Sequence, residues 1–434
     1  MDNQREGEGR RVLIVVENLP VPLDRRVWLE ATTLVAHGYE VSVICPTGRG
    51  WDALQEVIEG VHIYRYPAPT EAHAGAIAYA REYLHFLWHM FRLARHVRRE
   101  RGFDVIHGCN PPDLVFLLAL RYRLSGVRYL FDHHDVCPEL FEAKFDKKGL
   151  LYRVMLLWER LTFACASVSI ATNESFRQIA IRRGKMNPDD VFVVRSAPQV
   201  EKFEIRPPDP ALKHGAATMM GYVGVIGQQE GMDLLVAAAD HLVNVLGHRD
   251  VHFAIVGFGP HLDEVKRDVR AHGLEDWFTF TGALYGEDLL AVLNTADIGV
   301  SPDPKNAMND ISTMNKVMEY MTLEKPVVQF DLTEGRMSAD EASLYARAND
   351  PVDFAKKLAM LIEDPALCKR MGKIGRERVL GWLSWDHSMP NLLAAYDRIF
   401  NKAGRGRAGG YEKAPMPSQP QSHPDASAKP ATRH

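Results

Sequence analysis

Short apolar runs, rich in β-branched residues, alternate with longer segments of helical periodicity along most of the chain. Segment 24–38 carries apolar residues at helical spacing, which predicts a helix between the first two runs. This alternation is typical of a parallel, doubly wound α/β sheet. The runs that predict strands in the first half are 11–18, 40–46, 61–67, 104–110, 128–134, 167–173 and 191–197.

A polar, proline-rich stretch at 201–215 interrupts this pattern and is the best linker candidate. The pattern then restarts, which predicts a second α/β unit. Ligands of open sheets bind beyond the carboxyl ends of the strands, so two joined sheets predict a cleft lined by residues that follow strands. The strands predicted in the second half are 219–227, 251–260, 277–284, 296–303 and 325–331.

These patterns divide the chain into four parts. We expect a first domain at 10–200, a second domain at 201–385, and a helix at 386–401 that returns to the first domain. The tail at 402–434 is rich in Pro, Gly, Ser and Ala and nearly free of large apolar residues, so we expect it to be disordered.

The bulk composition is that of an ordinary globular protein. Of 434 residues, 46% are hydrophobic and 25% are charged, and the net charge of −4 argues against a globally basic nucleic-acid binder. Five scattered cysteines without a CxxC pair favour neither a zinc site nor a disulfide framework, and they fit a reducing cytoplasm. Only five apolar residues follow the charged N-terminus, so we expect neither a signal peptide nor a spanning helix, which needs ~18.

A charge pair precedes the last predicted strand, in "STMNKVMEYMTLEKPVVQF" (312–330). Lys316 and Glu319 are three residues apart and share one face of an otherwise apolar helix. One interpretation is a surface ion pair, which is common and weak. The other is a ligand site, because a helix N-terminus that carries a lysine and faces a cleft attracts anions. We expect Ser312 or Thr313 to cap this helix.

A glycine pair follows another strand, in "VGFGP" (256–260). Closely spaced glycines such as Gly257 and Gly259 let backbone N–H groups approach a phosphate. A tight turn without a ligand explains the same residues equally well.

Four titratable groups follow a strand of the first half, in "FDHHDVCPELF" (131–141), namely His133, His134, Asp135 and Glu139. Their spacing fits no standard zinc pattern, and a solvated loop is an alternative. His107 and Asn110 end the previous strand, and we expect them to face the same cleft.

Segment 81–102 predicts a helix whose apolar residues spread wider than a core stripe requires, and six arginines accompany them. One interpretation is a helix buried on two sides. The other is a surface helix that binds an anionic bilayer.

The chain resembles the retaining glycosyltransferases of family 4, which have the GT-B fold. The resemblance rests on "NKVMEYMTLEKPVVQFD", "GYVGVIGQQEGMDLLVAAADHL", "HFAIVGFGPHLDEV", "FTFTGALYGEDLLAVLNTADIGVSP" and "HDVCPELFEAKF", and it covers residues 11 to 400. It implies two Rossmann-like, doubly wound domains facing across a cleft. The first would hold the acceptor and the second the nucleotide-sugar donor.

The resemblance also implies roles for single residues. Glu319 would bind the ribose, Lys316 the donor diphosphate, and His134 the sugar, and these three are the implied catalytic residues. The implied donor-binding residues are Gly257, Gly259, Gly282, Leu284, Asn309, Asp310, Thr313 and Asn315. The implied acceptor-side residues are Arg25, Arg26, His107, Asn110, Asp135 and Glu139.

Three departures from the family pattern point to a variant site. Ile311 stands where the family has the first glutamate of its E-x7-E motif, and Gln228, Gln229 and Glu230 stand where an arginine and a lysine are usual. The glycine-rich loop after the first strand is missing. The phosphate charge would then fall on Lys316, with Lys305, Arg25 or Arg26 as helpers.

The function implied is retaining transfer of a sugar from a nucleoside diphosphate to a glycan or lipid-linked acceptor, in cell-surface or exopolysaccharide synthesis. We expect no metal or other cofactor and no nucleic-acid partner. We expect a cytoplasmic protein, with a candidate peripheral contact at the inner membrane face through 81–102. Two alternatives stay open: a nucleotide-sugar epimerase of the same fold, and a non-catalytic scaffold.

Overall fold

The first half of the chain folds around an eight-stranded sheet. The computed structural model describes residues 7–68, 76–145 and 149–401. The strand order is β3-β4-β2-β1-β5-β6-β7-β8, and all pairs are parallel except β3 with β4. The strands are β1 Arg11–Val15, β2 Glu40–Pro46, β3 Gln55–Ile58, β4 Val61–Tyr66, β5 Val105–Cys109, β6 Arg128–His133, β7 Val168–Ala171 and β8 Val191–Val193.

The second half folds around a six-stranded parallel sheet of order β11-β10-β9-β12-β13-β14. Its strands are nearly all buried on both faces, as expected for continuous apolar runs covered by helices. The strands are β9 Thr218–Val223, β10 Val251–Val256, β11 Phe278–Gly282, β12 Ile298–Ser301, β13 Val327–Phe330 and β14 Ser343–Ala346.

Helices cover both faces of each sheet. In the first half they are α1 Arg25–Ala36, α2 Ala76–Glu100, α3 Phe116–Arg123, α4 Cys137–Phe145, α5 Leu150–Cys165 and α6 Glu174–Arg182. In the second half they are α7 Met232–Asp240, α8 Leu262–Ala271, α9 Gly286–Thr295, α10 Asn315–Thr322, α11 Thr333–Ala339, α12 Pro351–Glu363, α13 Pro365–Arg378 and α14 Trp385–Asn401.

The predicted architecture of two doubly wound sheets is confirmed. All twelve predicted strands are present. Most of them end earlier than predicted, because the predicted ranges included polar residues that lie beyond the strand. Two strands escaped prediction. Strand β3 is a partly exposed antiparallel edge, and β14 is a partly exposed edge strand of sequence Ser-Leu-Tyr-Ala, so neither carries a continuous apolar run.

The strand orders place two crevices at defined points. Strand β1 lies between β2 and β5, so the chain winds in opposite directions on its two sides. Strand β9 lies between β10 and β12 in the same way. Such switch points open a crevice at the carboxyl ends of the strands, where open sheets bind ligands.

The helix α14 packs on the first sheet, although it follows the second in sequence. Leu392, Ala395, Tyr396 and Ile399 are fully buried in the core formed by β1, β2 and α1. The stretch 201–215 is fixed to the second domain instead, because the backbone N–H groups of two of its residues donate to Asn294 and Thr295. The tail at 402–434 lies outside the described residues, so the expectation that it is disordered stays a prediction.

Direct contacts join the two domains beside the cleft. The side-chain amide of Asn173 donates to the carbonyl of Ile311 (2.9 Å) and to the hydroxyl of Thr313 (3.0 Å). The hydroxyl of Ser175 donates to Glu334 (2.5 Å). These bonds bring the carboxyl end of β7 against the loop that precedes α10.

Helix α2 is buried on one face only. Phe86, Met90 and Val97 lie in the core, whereas Leu84 and Trp88 are 66% and 62% exposed. The prediction of a helix is therefore confirmed, and burial on two sides is wrong. Among the described residues, no helix combines the length and apolar character that crossing a bilayer requires.

The packing of α14 predicts a mutational effect on the first domain. We expect Leu392→Ala to lower the free energy of unfolding by ~2–5 kcal/mol, because it leaves a cavity in a fully buried core. Urea denaturation followed by tryptophan fluorescence measures this change.

The matched control is Leu124→Ala, which makes the same change at a fully exposed side chain. We expect a shift within ~0.5 kcal/mol for this variant. Equal stability of the two variants would contradict the assignment of α14 to the first core.

Candidate active site

Lys316 lies at the crevice of the second sheet. Its ammonium donates to both carboxylate oxygens of Asp303 (2.9 and 3.0 Å) and lies 4.7 Å from the ring centre of Tyr222. Its side chain is 11% exposed and packs against Gly224, which follows β9. Because Asp303 follows β12, this ion pair stands at the switch point between β9 and β12.

Glu319 faces the first domain. Its carboxylate is 6% exposed and accepts a hydrogen bond from the guanidinium of Arg25 across the cleft (2.8 Å). Lys316 and Glu319 therefore have separate partners, and the interpretation that they form a surface ion pair with each other is wrong. Both Arg25 and Glu319 line an interdomain cavity of about 270 Å³, together with Asn315 and Gly286.

Helix α10 begins at Asn315, and its cap differs from the expected one. Met314 is the N-cap residue and provides no side-chain hydrogen bond. The expectation that Ser312 or Thr313 caps the helix is wrong, because Ser312 donates to the carbonyl of Met308 and Thr313 accepts from Asn173. An N-terminus without a side-chain cap keeps its first N–H groups available to an anion at the cleft.

The glycines after β10 are explained by packing between two loops. Gly257 has a φ of +150°, and a Cβ there would lie 1.9 Å from the carbonyl oxygen of Gly224. A Cβ on Gly259 would lie 2.2 Å from the carbonyl oxygen of Ile226. The N–H of Gly257 donates to Gly282 (2.9 Å), so the expectation that this group binds pyrophosphate is wrong.

The residues after β11 form an open edge of the same crevice. Gly282 has a φ of +75°, and a Cβ there would meet no atom within 4 Å. Leu284 is half-buried against a small apolar cluster, and Ala283 is exposed. The carbonyl of Gly282 accepts from the N–H of Gly257 and the hydroxyl of Thr281 (both 2.9 Å), and the donor-binding role of Gly282 and Leu284 stays a prediction.

Two other predicted donor residues serve the protein instead. The amide of Asn309, 2% exposed, donates to the carbonyls of Gln229 and Pro304 (both 2.9 Å). Asp310 accepts from the N–H and hydroxyl of Thr333 and pairs with Lys305 (3.1 Å). Asn309 is too buried to contact a donor, so that expectation is wrong.

The turn that replaces the usual cations is held by its own acid. Gln228, Gln229 and Glu230 form a short 3-10 turn, and Glu230 accepts from the N–H of Gly227 (3.0 Å). Burial raises the pKa of Glu230, although Lys316 opposes this shift.

On the side of the first domain, Asp132 is the centre of a buried polar cluster. Its two oxygens accept from Nη2 and Nε of Arg26 (2.7 and 3.1 Å). One of them also contacts the imidazole of His134 and lies 3.4 Å from Nε2 of His107. Asp132 therefore fixes the first turn of α1 and the ring of His134 at once.

Charge balance explains how this cluster tolerates burial. Burial alone would raise the pKa of Asp132, but Arg26, His134 and His107 outweigh it, and the pKa lies well below its usual value. Burial raises the pKa of Glu30 well above its usual value, although Arg26, whose Nη2 lies 3.1 Å from its carboxyl, opposes this shift. Burial also lowers the pKa of His107.

Several predicted acceptor residues lie too deep to contact a substrate. His107 is fully buried and hydrogen-bonds through Nδ1 to the hydroxyl of Tyr396 (2.9 Å). Arg26 is 7% exposed and bound to Asp132. The expectation that these two residues reach the acceptor is wrong, because a position at the end of a strand or the start of a helix says nothing about depth.

The loop after β6 is fixed by Asn110, which is 2% exposed. Its amide oxygen accepts from the N–H groups of His134 (2.7 Å) and Asp135 (3.1 Å), and its nitrogen donates to the carbonyl of Asp135 (2.6 Å). Asn110 therefore positions His134 and does not face the cleft, contrary to expectation.

Glu139 is bound to Arg183 (2.5 and 3.1 Å), which also contradicts a free acceptor-side role. His133 is buried among phenylalanine rings, and burial lowers its pKa to about 3.

Within the described residues, two groups of side chains could offer ligand atoms to a metal, and both include Asp132. They are His107, Cys109 and Asp132, and Glu30, Asp132 and His134. The guanidinium of Arg26 already occupies both oxygens of Asp132, so a divalent ion would lie beside a buried positive charge. The expectation of metal independence stays a prediction.

Sequence reasoning missed Asp303, Asp132 and Glu30. Asp132 is a charged residue inside an apolar strand, which is itself a signal of a buried partner. Glu30 follows Arg26 by four residues, so the two share a helical face. Asp303 is the last residue of the predicted strand 296–303 and follows the observed strand β12, which is the position that the cleft argument selects.

Comparisons with known proteins match both halves of the chain to glycosyl transferases. The family model "Glycosyl transferases group 1" matches residues 217–364, and the model "Glycosyl transferase 4-like domain" matches residues 23–197. The 2-deoxystreptamine glucosyltransferase of Streptomyces kanamyceticus is 26% identical over 70% of this chain and 80% of the relative. An alpha-maltose-1-phosphate synthase of Mycobacterium tuberculosis is 25% identical over 65% of this chain and 76% of the relative.

Solved structures share the fold at low identity. Sucrose-phosphate synthase from Thermosynechococcus elongatus has a TM-score of 0.72 at 17% identity, covering 91% of this chain and 100% of that chain. HepE of Anabaena, solved with UDP and glucose, has a TM-score of 0.69 at 12% identity, covering 89% of this chain and 99% of that chain. WaaG, a glycosyltransferase involved in lipopolysaccharide biosynthesis, has a TM-score of 0.66 at 16% identity, covering 89% and 99%.

The buried cluster predicts a pH-dependent loss of stability. We expect Asp132→Asn to lower the free energy of unfolding at pH 7 by ~3–5 kcal/mol, because it removes the charged bidentate partner of the buried Arg26. The lowered pKa of Asp132 favours the folded state above about pH 4, and this contribution is lost as the pH falls further. The gap between wild type and variant should therefore narrow below about pH 4, which urea denaturation at several pH values measures.

The control is Asp104→Asn, which removes a carboxylate paired with Arg11 in a half-exposed position. We expect it to cost ~0–1 kcal/mol at pH 7. A loss at Asp132 no larger than at Asp104 would contradict the structural importance of the cluster.

Proposed function

The chain belongs to the group 1 glycosyl transferases of the GT-B fold, and from this premise we propose that it moves a sugar from a nucleoside diphosphate to an acceptor with retention at the anomeric carbon. The observation that carries the proposal is α10. It presents the buried carboxylate of Glu319 and the uncapped start of a helix to an interdomain cavity, with Lys316 one turn away. Ribose and diphosphate are adjacent parts of one ligand, so this spacing suits a nucleoside diphosphate.

A nucleoside diphosphate donor fits the crevice between β9 and β12. HepE, which shares the fold, was solved with UDP-glucose. In this chain the exposed backbone after β11 would hold the base, Glu319 would accept from the ribose hydroxyls, and Lys316 would bind the diphosphate. Asp303 holds the ammonium of Lys316 in the crevice until a phosphate competes for it.

The chemical step needs charge stabilisation more than proton transfer. The diphosphate gains negative charge as the glycosidic bond breaks, so fixed cations and N–H groups stabilise the transition state more than the ground state. We infer front-face attack through an oxocarbenium-like species. His134, held by Asp132 and Asn110, is positioned to contact the sugar from the first domain.

We infer the kind of acceptor from a surface outside the donor crevice. The relatives act on different acceptors, as their names show, so they do not fix this one. We infer a lipid-linked or glycan acceptor used in cell-surface polysaccharide synthesis at the inner membrane face, because helices α2 and α5 share an exposed apolar and basic surface. Tyr83 of α2 contacts Trp158 of α5 (ring centres 6.3 Å apart).

We name this the α2–α5 surface and define it by its exposed side chains. The apolar members are Leu84, Trp88, Leu150, Leu151, Leu157 and Leu161, and the basic members are Arg81, Arg92, Arg95, Arg99, Arg153 and Arg160. Apolar side chains with arginines around them match an anionic bilayer, into which they insert while the guanidinium groups contact headgroups.

Nucleotide binding tests the donor site. We expect Lys316→Ala to weaken a nucleoside diphosphate ~10- to 100-fold and the nucleoside much less, because it removes a charge-assisted bond to phosphate. We expect Glu319→Ala to weaken both, because both contain ribose. Calorimetry with UDP, GDP and their nucleosides measures these changes.

Lys356→Ala is the control, because Lys356 lies on the exposed face of α12. We expect unchanged affinities for this variant. Absence of nucleoside diphosphate binding by the wild type would favour the alternative of a non-catalytic scaffold. A product formed from the donor alone would favour an epimerase.

Vesicle binding tests the α2–α5 surface. We expect the double variant Leu84→Ser, Trp88→Ser to bind anionic phosphatidylglycerol vesicles at least ~10-fold more weakly, because two exposed apolar side chains no longer insert. We expect wild-type binding to fall with added salt. Co-sedimentation measures both.

The matched control is Val245→Ser, which changes an exposed apolar side chain of the second domain. It should bind vesicles like the wild type. Equal wild-type binding to anionic and neutral vesicles would contradict the role of the arginines.

A further inference from the structure

The cations near the donor crevice are unequal in what they can give to a diphosphate. Lys316 is bound to Asp303 through both carboxylate oxygens, so its charge is already balanced. Arg26 is bound to Asp132 and to the carbonyl of Val194 (2.6 Å). Lys305 pairs with Asp310. The turn at 228–230 supplies an acid where the family supplies cations.

Arg25 differs from all of these. It is the first residue of α1, and its helix starts beyond the carboxyl end of β1, at the switch point of the first sheet. Its side chain is 67% exposed and reaches across the cleft to Glu319. The next residue, Arg26, is locked into the buried cluster, so the backbone that presents Arg25 is rigid while its side chain is free to change partner.

The partner of Arg25 is the residue that the proposed function assigns to ribose. A ribose diol that donates to both oxygens of Glu319 competes with the guanidinium of Arg25, which donates to Oε1. An ion pair whose cation is this exposed is weak, so ribose can displace it. The released guanidinium then lies beside the diphosphate of the same ligand, and the planar guanidinium matches phosphate oxygens in a bidentate way.

We propose that Arg25 is a donor-phosphate ligand supplied by the first domain, held on Glu319 until the ribose of the donor displaces it. This inference rests on the proposed function. Of the two roles expected of Arg25, acceptor-side residue and phosphate helper, it selects the second, and it supplies a cation in place of those missing from the turn at 228–230. The exchange also links donor binding to contact between the domains. Glu319 of the second domain would hold the ribose, and Arg25 of the first domain would hold the diphosphate.

The experiment is a comparison of affinities for diphosphates and nucleosides. Calorimetry is run with UDP, GDP, ADP and dTDP and with their nucleosides on wild type, Arg25→Gln and Arg25→Lys. We expect Arg25→Gln to weaken the diphosphate at least ~10-fold, because a charge-assisted bond is lost. The same variant should bind the nucleoside as tightly as wild type or several-fold more tightly, because ribose no longer competes with a guanidinium. Arg25→Lys should recover part of the diphosphate affinity.

Two controls separate this role from general effects of charge and stability. Arg11→Gln removes an arginine bound to a carboxylate at the amino end of β1, away from the cleft, and should change neither affinity. Lys202, which lines the cavity together with Arg25 and the buried Arg26, is changed to Gln in parallel. Thermal melts establish that every variant is folded.

The outcomes distinguish this inference from the proposed function. If wild type binds none of the diphosphates, both are overturned. If wild type binds one of them and Arg25→Gln binds it equally well, only the role of Arg25 is overturned. The same holds if Arg25→Gln weakens diphosphate and nucleoside equally, or if the preference for diphosphate depends on Lys202 and not on Arg25.

Discussion

The buried pair of Arg26 and Asp132 is the interaction on which the cleft depends. Asp132 closes a strand of the first sheet, and Arg26 lies in the first turn of α1, so their bidentate bond fixes the helix to the sheet at the point where ligands bind. The same carboxylate holds His134, while its neighbour His107 hydrogen-bonds to Tyr396 of α14. A buried carboxylate persists only when it is paired, so each side chain in this cluster constrains the others. The position of the cleft wall follows from that constraint.

Much of the fold was predictable because parallel strands are covered on both faces. Strands such as β5 and β10 are buried at every position, and their continuous apolar runs stand out from the helical segments around them. Strand β3 alternates in exposure at an edge, and β14 is a partly exposed edge strand that mixes polar and apolar residues, so local pattern does not separate them from loops. The return of α14 to the first sheet depends on packing between residues far apart in sequence, as between Trp385 and Thr33, which are 352 positions apart (3.0 Å).

The site was predictable in location and much less so in detail. The rule that ligands bind beyond the ends of strands selects His134, and the charge pair on an apolar helix selects Lys316 and Glu319; all three line or approach the cleft. The same rule selects His107 and Asn110, which are buried, because it fixes the end of a strand and not the depth of a side chain. The partners of Lys316 and Glu319 come from a loop and from the other domain, and no local pattern in the sequence reports such pairs.

The ion pairs of Lys316 and Glu319 with their partners give one physical explanation for the departures from the family pattern. Three cations near the donor crevice have acidic partners: Asp303 for Lys316, Glu319 for Arg25 and Asp310 for Lys305. Binding an anion is then an exchange of partners, in which the acid that loses its cation must be satisfied by the ligand or by water. Ribose hydroxyls can satisfy Glu319, whereas inorganic phosphate cannot. A crevice built in this way favours a ligand that carries both hydroxyls and phosphates over phosphate alone, and it achieves this selectivity without the extra cations found elsewhere in the family.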